Sequence, residues 1–557
     1  MRPLATHTSA VHSALTMILI AATACGGGDS DRGGTIVIGT GAEPGTLFPP
    51  LASQSQARAV TELVFDKLAD LGPSANTVGD ADFQPRLAHQ WTWSADSLAV
   101  TFQLDPRARW HDGAPVRAGD VRFAFAVYTD TLVGARFGTD LRNEIDSVSV
   151  ADSVTCTVWF RRRTPEQFYN LVSTVMPLPE HLLGRVPRDS LATARFTREP
   201  VGNGPFRFVR WDPAQRVEIA AVDGFFRGRP GLDRVIWTYS SQNSTLVQQL
   251  RAGESDFVEN LPPAALTDSL RLAGVRVVRR GNYDYNFLRF NLREGASDRS
   301  HHLFSDRELR RALAMALDRK AMVRSVFDSL GAVLIGPFVR AQWSSDTSLA
   351  QVEFDRAATA RVLDSLGWRA GTDGVRTRAG KPLSFSVLVP TSSAFRQSYA
   401  VIMQEQFRLV GVKMAVEKLD FPAFVERLHR HEFDAAMDNL TSSPSPSGVR
   451  QSWSTGAVRN GGLNYGSYAN PVFDAHVDSA LAARDARSAK AHYRAAYQTI
   501  ITDAPAIWLY EPPQISGAQK RLQTGALRAD AWWQGVPTWS IAASGRLPRD
   551  APPAKSP

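Results

Sequence analysis

The chain has 557 residues, 43% hydrophobic and 21% charged, a globular composition rather than that of a disordered or collagen-like chain. Its formal net charge of +8 arises from 63 Lys and Arg scattered among 55 Asp and Glu, with no basic block beyond Arg161-Arg162-Arg163. That pattern gives no footprint for nucleic acid, and two cysteines, Cys25 and Cys156, allow no disulfide framework.

The first readable element is the leader. Leu15 to Ala24 is a short apolar run that ends in small residues before Cys25, too short to span a bilayer. It predicts a lipoprotein signal peptide over 1–24 and a flexible tether over 25–33. Two acyl chains on Cys25 would then hold the mature protein to a membrane surface. Ala22 stands where Leu is usual and Arg2 is the leader's only Lys or Arg, so the alternative is an ordinary signal peptide with an incidental cysteine. About 530 residues follow, more than one core holds, so two or three lobes are expected.

Thr35 to Thr40 reads as a short strand running into the loop Gly41 to Gly45. Ser97 to Leu104 alternates with period two, as a half-buried strand does, and Cys156 in Val154 to Trp159 fits a buried strand thiol. His111-Asp112-Gly113-Ala114-Pro115 is a turn in which Gly113 permits positive φ, and Asp120 is expected to cap the helix that follows. Leu309, Ala312, Leu313, Ala316 and Leu317 form one helix face capped by Ser305 or Asp306. A strand over 383–389, a helix around 398–409 and a strand over 412–417 imply a parallel α/β lobe. No short repeat interrupts this order, and a Pro-rich tail over 546–557 is expected to be disordered.

No motif calls for catalysis or a cofactor. Gly-Xaa-Ser-Xaa-Gly, a Walker A loop, a dinucleotide fingerprint and His-Glu-Xaa-Xaa-His are all absent from the sequence. His301 and His302, adjacent on an expected strand, would point to opposite faces. His429 and His431 could share a face but have only Glu432 as an obvious further ligand, so no metal site is assigned.

The segment Ala108 to Ala124, with Trp110-His111-Asp112-Gly113 at its centre, closely resembles the hallmark of the family 5 solute-binding proteins, the dipeptide, oligopeptide and nickel receptors of bacterial ABC importers. Further matches follow in the family's order, among them Gly34 to Leu47, Leu87 to Trp91, Met176 to Leu182, Val201 to Phe206, Leu250 to Asp256 and Tyr468 to Asp474. The resemblance implies an α/β fold, a three-lobed clam of the periplasmic-binding-protein type II kind with hinged lobes. Lobe I would comprise 34–75, 199–288 and 515–545, the inserted lobe II 76–198, and lobe III 289–514. Residues 287–291 and 507–510 are the expected hinges. Ligand would be enclosed between lobes I and III and delivered to ABC permease subunits by a monomer on the periplasmic side of the envelope.

The resemblance also nominates a pocket. Peptide receptors carry a Trp and then an Asp that pairs with the ligand's ammonium; here Leu440 and Ser443 occupy those positions, after Asp438 and Asn439. Asp438 or Glu259, beside Asn260, could replace the lost carboxylate, although a solvent-facing or capping role is an equal alternative. Glu43 lies in the ligand-side loop, while Phe421, Tyr283 and Tyr285 could supply aromatic contact or core packing. The altered pocket leaves open a nickel chelate, an opine or a sugar-like solute in place of a peptide. A sensor or chaperone-like lipoprotein is the remaining alternative.

Overall fold

The computed structural model describes residues 33–551 except 263, 264, 267–273, 296 and 460; the leader, Cys25, most of the tether and residues 552–557 lie outside the described residues. Three sheets organise the chain. In the first, seven strands run in the order Val275–Arg280, Gln514–Gln519, Phe257–Val258, Thr35–Thr40, Arg234–Tyr239, Arg216–Ala221 and Phe206–Asp212. Thr35–Thr40 pairs in parallel with both its neighbours. The second sheet is antiparallel, with Ala88–Trp93, Ala99–Leu104, Thr155–Phe160 and Ile145–Val150 in that order.

The third sheet has six strands, ordered Ala332–Val333, Ala506–Glu511, Asp284–Phe290, Ala435–Thr441, Ser384–Pro390 and Lys413–Leu419. Ser384–Pro390 is parallel to both Lys413–Leu419 and Ala435–Thr441, and the helix Ala394–Arg408 makes the crossover, as the apolar pattern predicts. The helix Arg307–Met315 begins on Asp306, whose carboxylate accepts from the amides of Glu308 and Leu309.

The seven- and four-stranded sheets share one apolar core, in which Ile36, Trp237 and Trp532 belong to the same cluster as Phe102, Trp110 and Phe168. The six-stranded sheet keeps separate cores, one around Phe385, Tyr399 and Phe407 and another around Phe287, Trp453 and Trp508. The chain passes between the first and third sheets in an antiparallel ribbon. Val275–Arg280 pairs with Gln514–Gln519 on one side, and Asp284–Phe290 pairs with Ala506–Glu511 on the other. The crossings are residues 281–283 and Pro512-Pro513, where Asn282 Nδ2 donates to the Pro512 carbonyl at 2.6 Å. Of the expected hinges, 287–290 and 507–510 lie within strands of the six-stranded sheet, where Phe287, Leu288, Phe290 and Ile507 to Tyr510 are buried, and Asn291 follows the first strand.

Three further expectations need correction. Asp120 is not the helix cap: it lies inside Ala118–Thr129 and accepts from the Arg117 amide (2.8 Å), Trp110 Nε1 (3.1 Å) and the Glu180 amide (3.0 Å), tying the hallmark turn to two helices. His301 and His302 are off any strand, with their rings stacked at 4.7 Å, and His301 Nδ1 accepts from the Leu303 and Phe304 amides. The expected disordered tail carries regular structure where it is described, up to Ala551. A short helix, Pro548–Asp550, buries Asp550, which accepts from the Thr35 amide (2.9 Å) and pairs with Arg521 (2.6 Å). Cys156 is a buried free thiol, pushed up to about 12 by burial.

Candidate functional site

A cavity of about 960 Å³ opens where the three sheets meet. Its walls come from the helix Ser55–Val64, the helices Gly138–Glu144 and Gln167–Thr174 beside the four-stranded sheet, the crossing at 281–283 and the loop after Ala435–Thr441. Four sequence-nominated residues share it: Glu259, Asn260, Tyr283 and Ser443. Glu259 is buried, and Thr40 Oγ1 donates to its carboxylate at 3.3 Å. Asn260 Oδ1 accepts from Arg280 Nη2 at 2.7 Å. The Tyr283 hydroxyl donates to the Ala341 carbonyl at 3.4 Å, and burial raises its pKa.

The other nominees lie elsewhere among the described residues. Glu43 accepts from Trp211 Nε1 and from the Ala214 amide at 3.1 Å, closing the turn of a neighbouring hairpin. Tyr285 is core: its ring stacks on Phe287 at 5.5 Å, its hydroxyl accepts from Trp453 Nε1, and burial pushes its pKa up to about 12. Phe421 is about half exposed at the start of the helix Phe421–His429, beside Phe424. Leu440 packs against the Trp453 core, and Asn439 lies opposite Asn286 in the ladder.

Asp438 cannot be a vacant counter-ion. It is buried and pairs with Arg289 Nε at 2.8 Å, and that guanidinium has no solvent exposure. Arg289 also lies over Phe287 (5.0 Å), Trp453 (4.8 Å) and Tyr465 (5.5 Å). His429 and His431 flank the end of their helix and hydrogen-bond to the Tyr465 hydroxyl and carbonyl, at 3.0 and 2.7 Å.

Several wall groups escaped the sequence reading. Buried Glu62 is held by Arg58 (2.8 Å), Lys67 (2.9 Å), Trp533 Nε1 (3.0 Å) and Gln534 Nε2 (2.6 Å). Burial opposes its ionisation, but the two cations outweigh burial and hold its pKa well below the usual carboxylate range. Asp284 accepts from Thr441 Oγ1 at 2.6 Å, and Glu144 from the Asn170 amide at 3.0 and 3.1 Å; no cation pairs with either among the described residues. Burial raises the pKa of Glu144. At the rim, Glu166 accepts from Ser445 Oγ (2.6 Å) and Thr77 Oγ1, while Gln342 Nε2 donates to Ser442 Oγ (2.6 Å) and to the Ser443 carbonyl (3.0 Å). The Glu166–Ser445 bond crosses the gap between the four- and six-stranded sheets, while Gln342 holds the loop 442–447 to the six-stranded side.

A cleft at a ribbon joining two α/β bodies is what a solute receptor presents. Residues 82–461 match the model for "Bacterial extracellular solute-binding proteins, family 5 Middle". The chain belongs to that family. As a family 5 member it is a binding protein for solutes rather than an enzyme, and its fold is the type II periplasmic-binding-protein fold. It is 27% identical over 548 residues to the oligopeptide-binding protein AppA of Bacillus subtilis, covering 94% of this chain and 97% of that one. The structure of that AppA in complex with a nonapeptide superposes with a TM-score of 0.69 at 24% identity, over 92% of this chain and 99% of that one. NikZ from Campylobacter jejuni in complex with Ni(L-His) gives 0.70 at 23% identity, over 91% and 99%.

Proposed function

We propose that this family 5 protein is a lipid-anchored receptor that captures short peptides in the 960 Å³ cavity and delivers them to an ABC permease. The observation that carries the reading is the cavity's position. It lies between a body built on the seven- and four-stranded sheets and one built on the six-stranded sheet, joined by two crossings, so closure can enclose a ligand. The volume lies at the upper end of roughly 300–1,000 Å³ for ligand pockets, room for a short peptide rather than a single residue. The walls mix paired charges with hydroxyls and Tyr169, Tyr283 and Trp533, which suits a polar backbone with varied side chains. The AppA likeness supports the peptide class. Because Asp438 is occupied by Arg289, the carboxylates available to a ligand amine are wall groups without a close cation among the described residues, among them Glu144, Glu259 and Asp284.

Native mass spectrometry of the protein purified from its own host tests the reading. Co-purified masses of two to several amino acids are expected, and a homogeneous non-peptide occupant would refute it. For the anchor, Cys25→Ser should release the protein from the membrane fraction; continued membrane association would refute lipidation at that residue.

A further inference from the structure

Among the described residues five cationic side chains line the cavity, and four are already accounted for. Arg58 and Lys67 pair with Glu62 at 2.8 and 2.9 Å, Arg528 pairs with Asp70 and Asp530 at 2.9 and 2.7 Å, and Arg136 is exposed, its guanidinium over the Phe137 ring. Arg280 differs. Its side chain is only 9% exposed, yet among the described residues the nearest carboxylate oxygen, on Glu259, is 4.0 Å away. That is well beyond the roughly 2.7–2.9 Å of a charge-assisted bond. Its Nη2 is satisfied by two neutral oxygens, Asn260 Oδ1 at 2.7 Å and Gln514 Oε1 at 3.3 Å, and its buried Nε has no acceptor among the described residues. A guanidinium in this state has lost water without gaining a full anionic partner, which is costly unless something else supplies one.

The place matters as much as the charge. Arg280 ends the strand Val275–Arg280 directly before the 281–283 crossing, with Gln514 beside it in the ladder at the start of the returning strand. An anion seated there touches the wall of one body immediately beside the connection to the other. Four residues on, Asp284 lines the same cavity from the far side of the crossing, and its charge acts on Arg280.

We infer that Arg280 is the anchor for a carboxylate of the bound solute, which on the peptide reading above is the ligand's C-terminal carboxylate. The carboxylate accepts from the guanidinium N–H groups that Asn260 and Gln514 leave unpaired. The amide oxygens of Asn260 and Gln514 hold the guanidinium without neutralising it, so its capacity to bind an anion is kept.

The experiment uses the full mature chain and two probes: a mixed tetrapeptide pool with free C-termini and the same pool C-terminally amidated. Each is measured by native mass spectrometry and by calorimetric titration. The unmodified protein should bind the amidated pool at least tenfold more weakly. Arg280→Gln should bring the two pools together by weakening only the free-acid pool, with Arg280→Lys intermediate because a lysine lacks the planar fork. Equal binding of both pools by the unmodified protein, which needs no variant to fold, overturns the assignment while leaving peptide capture standing. Discrimination that persists undiminished in Arg280→Gln also overturns it. If neither pool binds, the peptide reading fails and the anchor falls with it.

Discussion

Asp438→Asn separates a core ion pair from a ligand contact. Asn keeps the shape and an oxygen that can still accept from Arg289 Nε, but it leaves the guanidinium uncompensated with no solvent exposure. Arg289 has little else to fall back on: Nη1 and Nη2 are buried without acceptors, and the three aromatic rings at 4.8–5.5 Å offer only cation–π attraction. Removing one partner of a buried pair costs about 3–5 kcal/mol. For a unit the size of the six-stranded-sheet body, each kcal/mol lowers Tm by about 2–4 °C, so a drop of at least about 6 °C is expected. Calorimetry and far-ultraviolet circular dichroism follow that transition. Peptide affinity measured well below Tm should change by less than about threefold, since Asp438 is off the cavity wall. A variant that melts within 1 °C of the parent and yet loses ligand would refute the assignment and restore Asp438 as the counter-ion.

Other outcomes follow from close contacts. A Cβ on Gly202 would come within 1.9 Å of the Val64 carbonyl oxygen, so Gly202→Ala must displace backbone and should cost about 3 kcal/mol, read as a lower urea midpoint with unchanged slope. Unchanged stability would mean the loop relocates freely. The same loop holds His111 neutral: Nδ1 accepts from the Gly202 amide, Nε2–H donates to the Gly204 carbonyl, and burial lowers its pKa to about 4. With the folded value below the ordinary 6.5, the contribution is complete above pH 6.5 and is lost as pH falls from there towards 4, about 3 kcal/mol in all. His111→Gln should flatten that part of the Tm–pH curve, and parallel curves for the two proteins would exclude His111 as the source. Glu166→Ala removes the acceptor of Ser445 Oγ and Thr77 Oγ1, at about 1.5–3 kcal/mol per bond. Hydrogen exchange should rise in 77–79 and 442–447; if it does not, these bonds do not fasten the rim.

What the sequence disclosed was local or contiguous. The strand at Thr35–Thr40, the Asp306 cap and the parallel Ser384–Pro390 unit announce themselves through periodicity and a single polar residue at a helix start. The pairing of Asp438 with Arg289 spans 149 positions and depends on register: Phe287 faces Asp438, which puts Arg289 diagonally across on the same face. No periodicity encodes that. The crossings were misplaced although a signal existed, since Pro512-Pro513 cannot donate to a ladder and must interrupt it, whereas the apolar runs chosen instead were simply buried strand. Arg280 and Asp284 were passed over because each is unremarkable in sequence; only the cavity they share sets them apart.

The clasp at Asp550 has a mechanical consequence. Thr35–Thr40 lies in the interior of its sheet, laddered in parallel to both neighbours, with its first amide bonded to Asp550 and its first carbonyl to Arg521 Nη2 at 3.0 Å. A pull applied at Thr35 along the strand axis acts on the whole strand. It therefore loads those hydrogen bonds together in shear instead of unzipping them one at a time. The clasp of Asp550 and Arg521 shares the load at the point of entry, so force arriving at Thr35 is spread through the seven-stranded sheet before it can disturb the cleft.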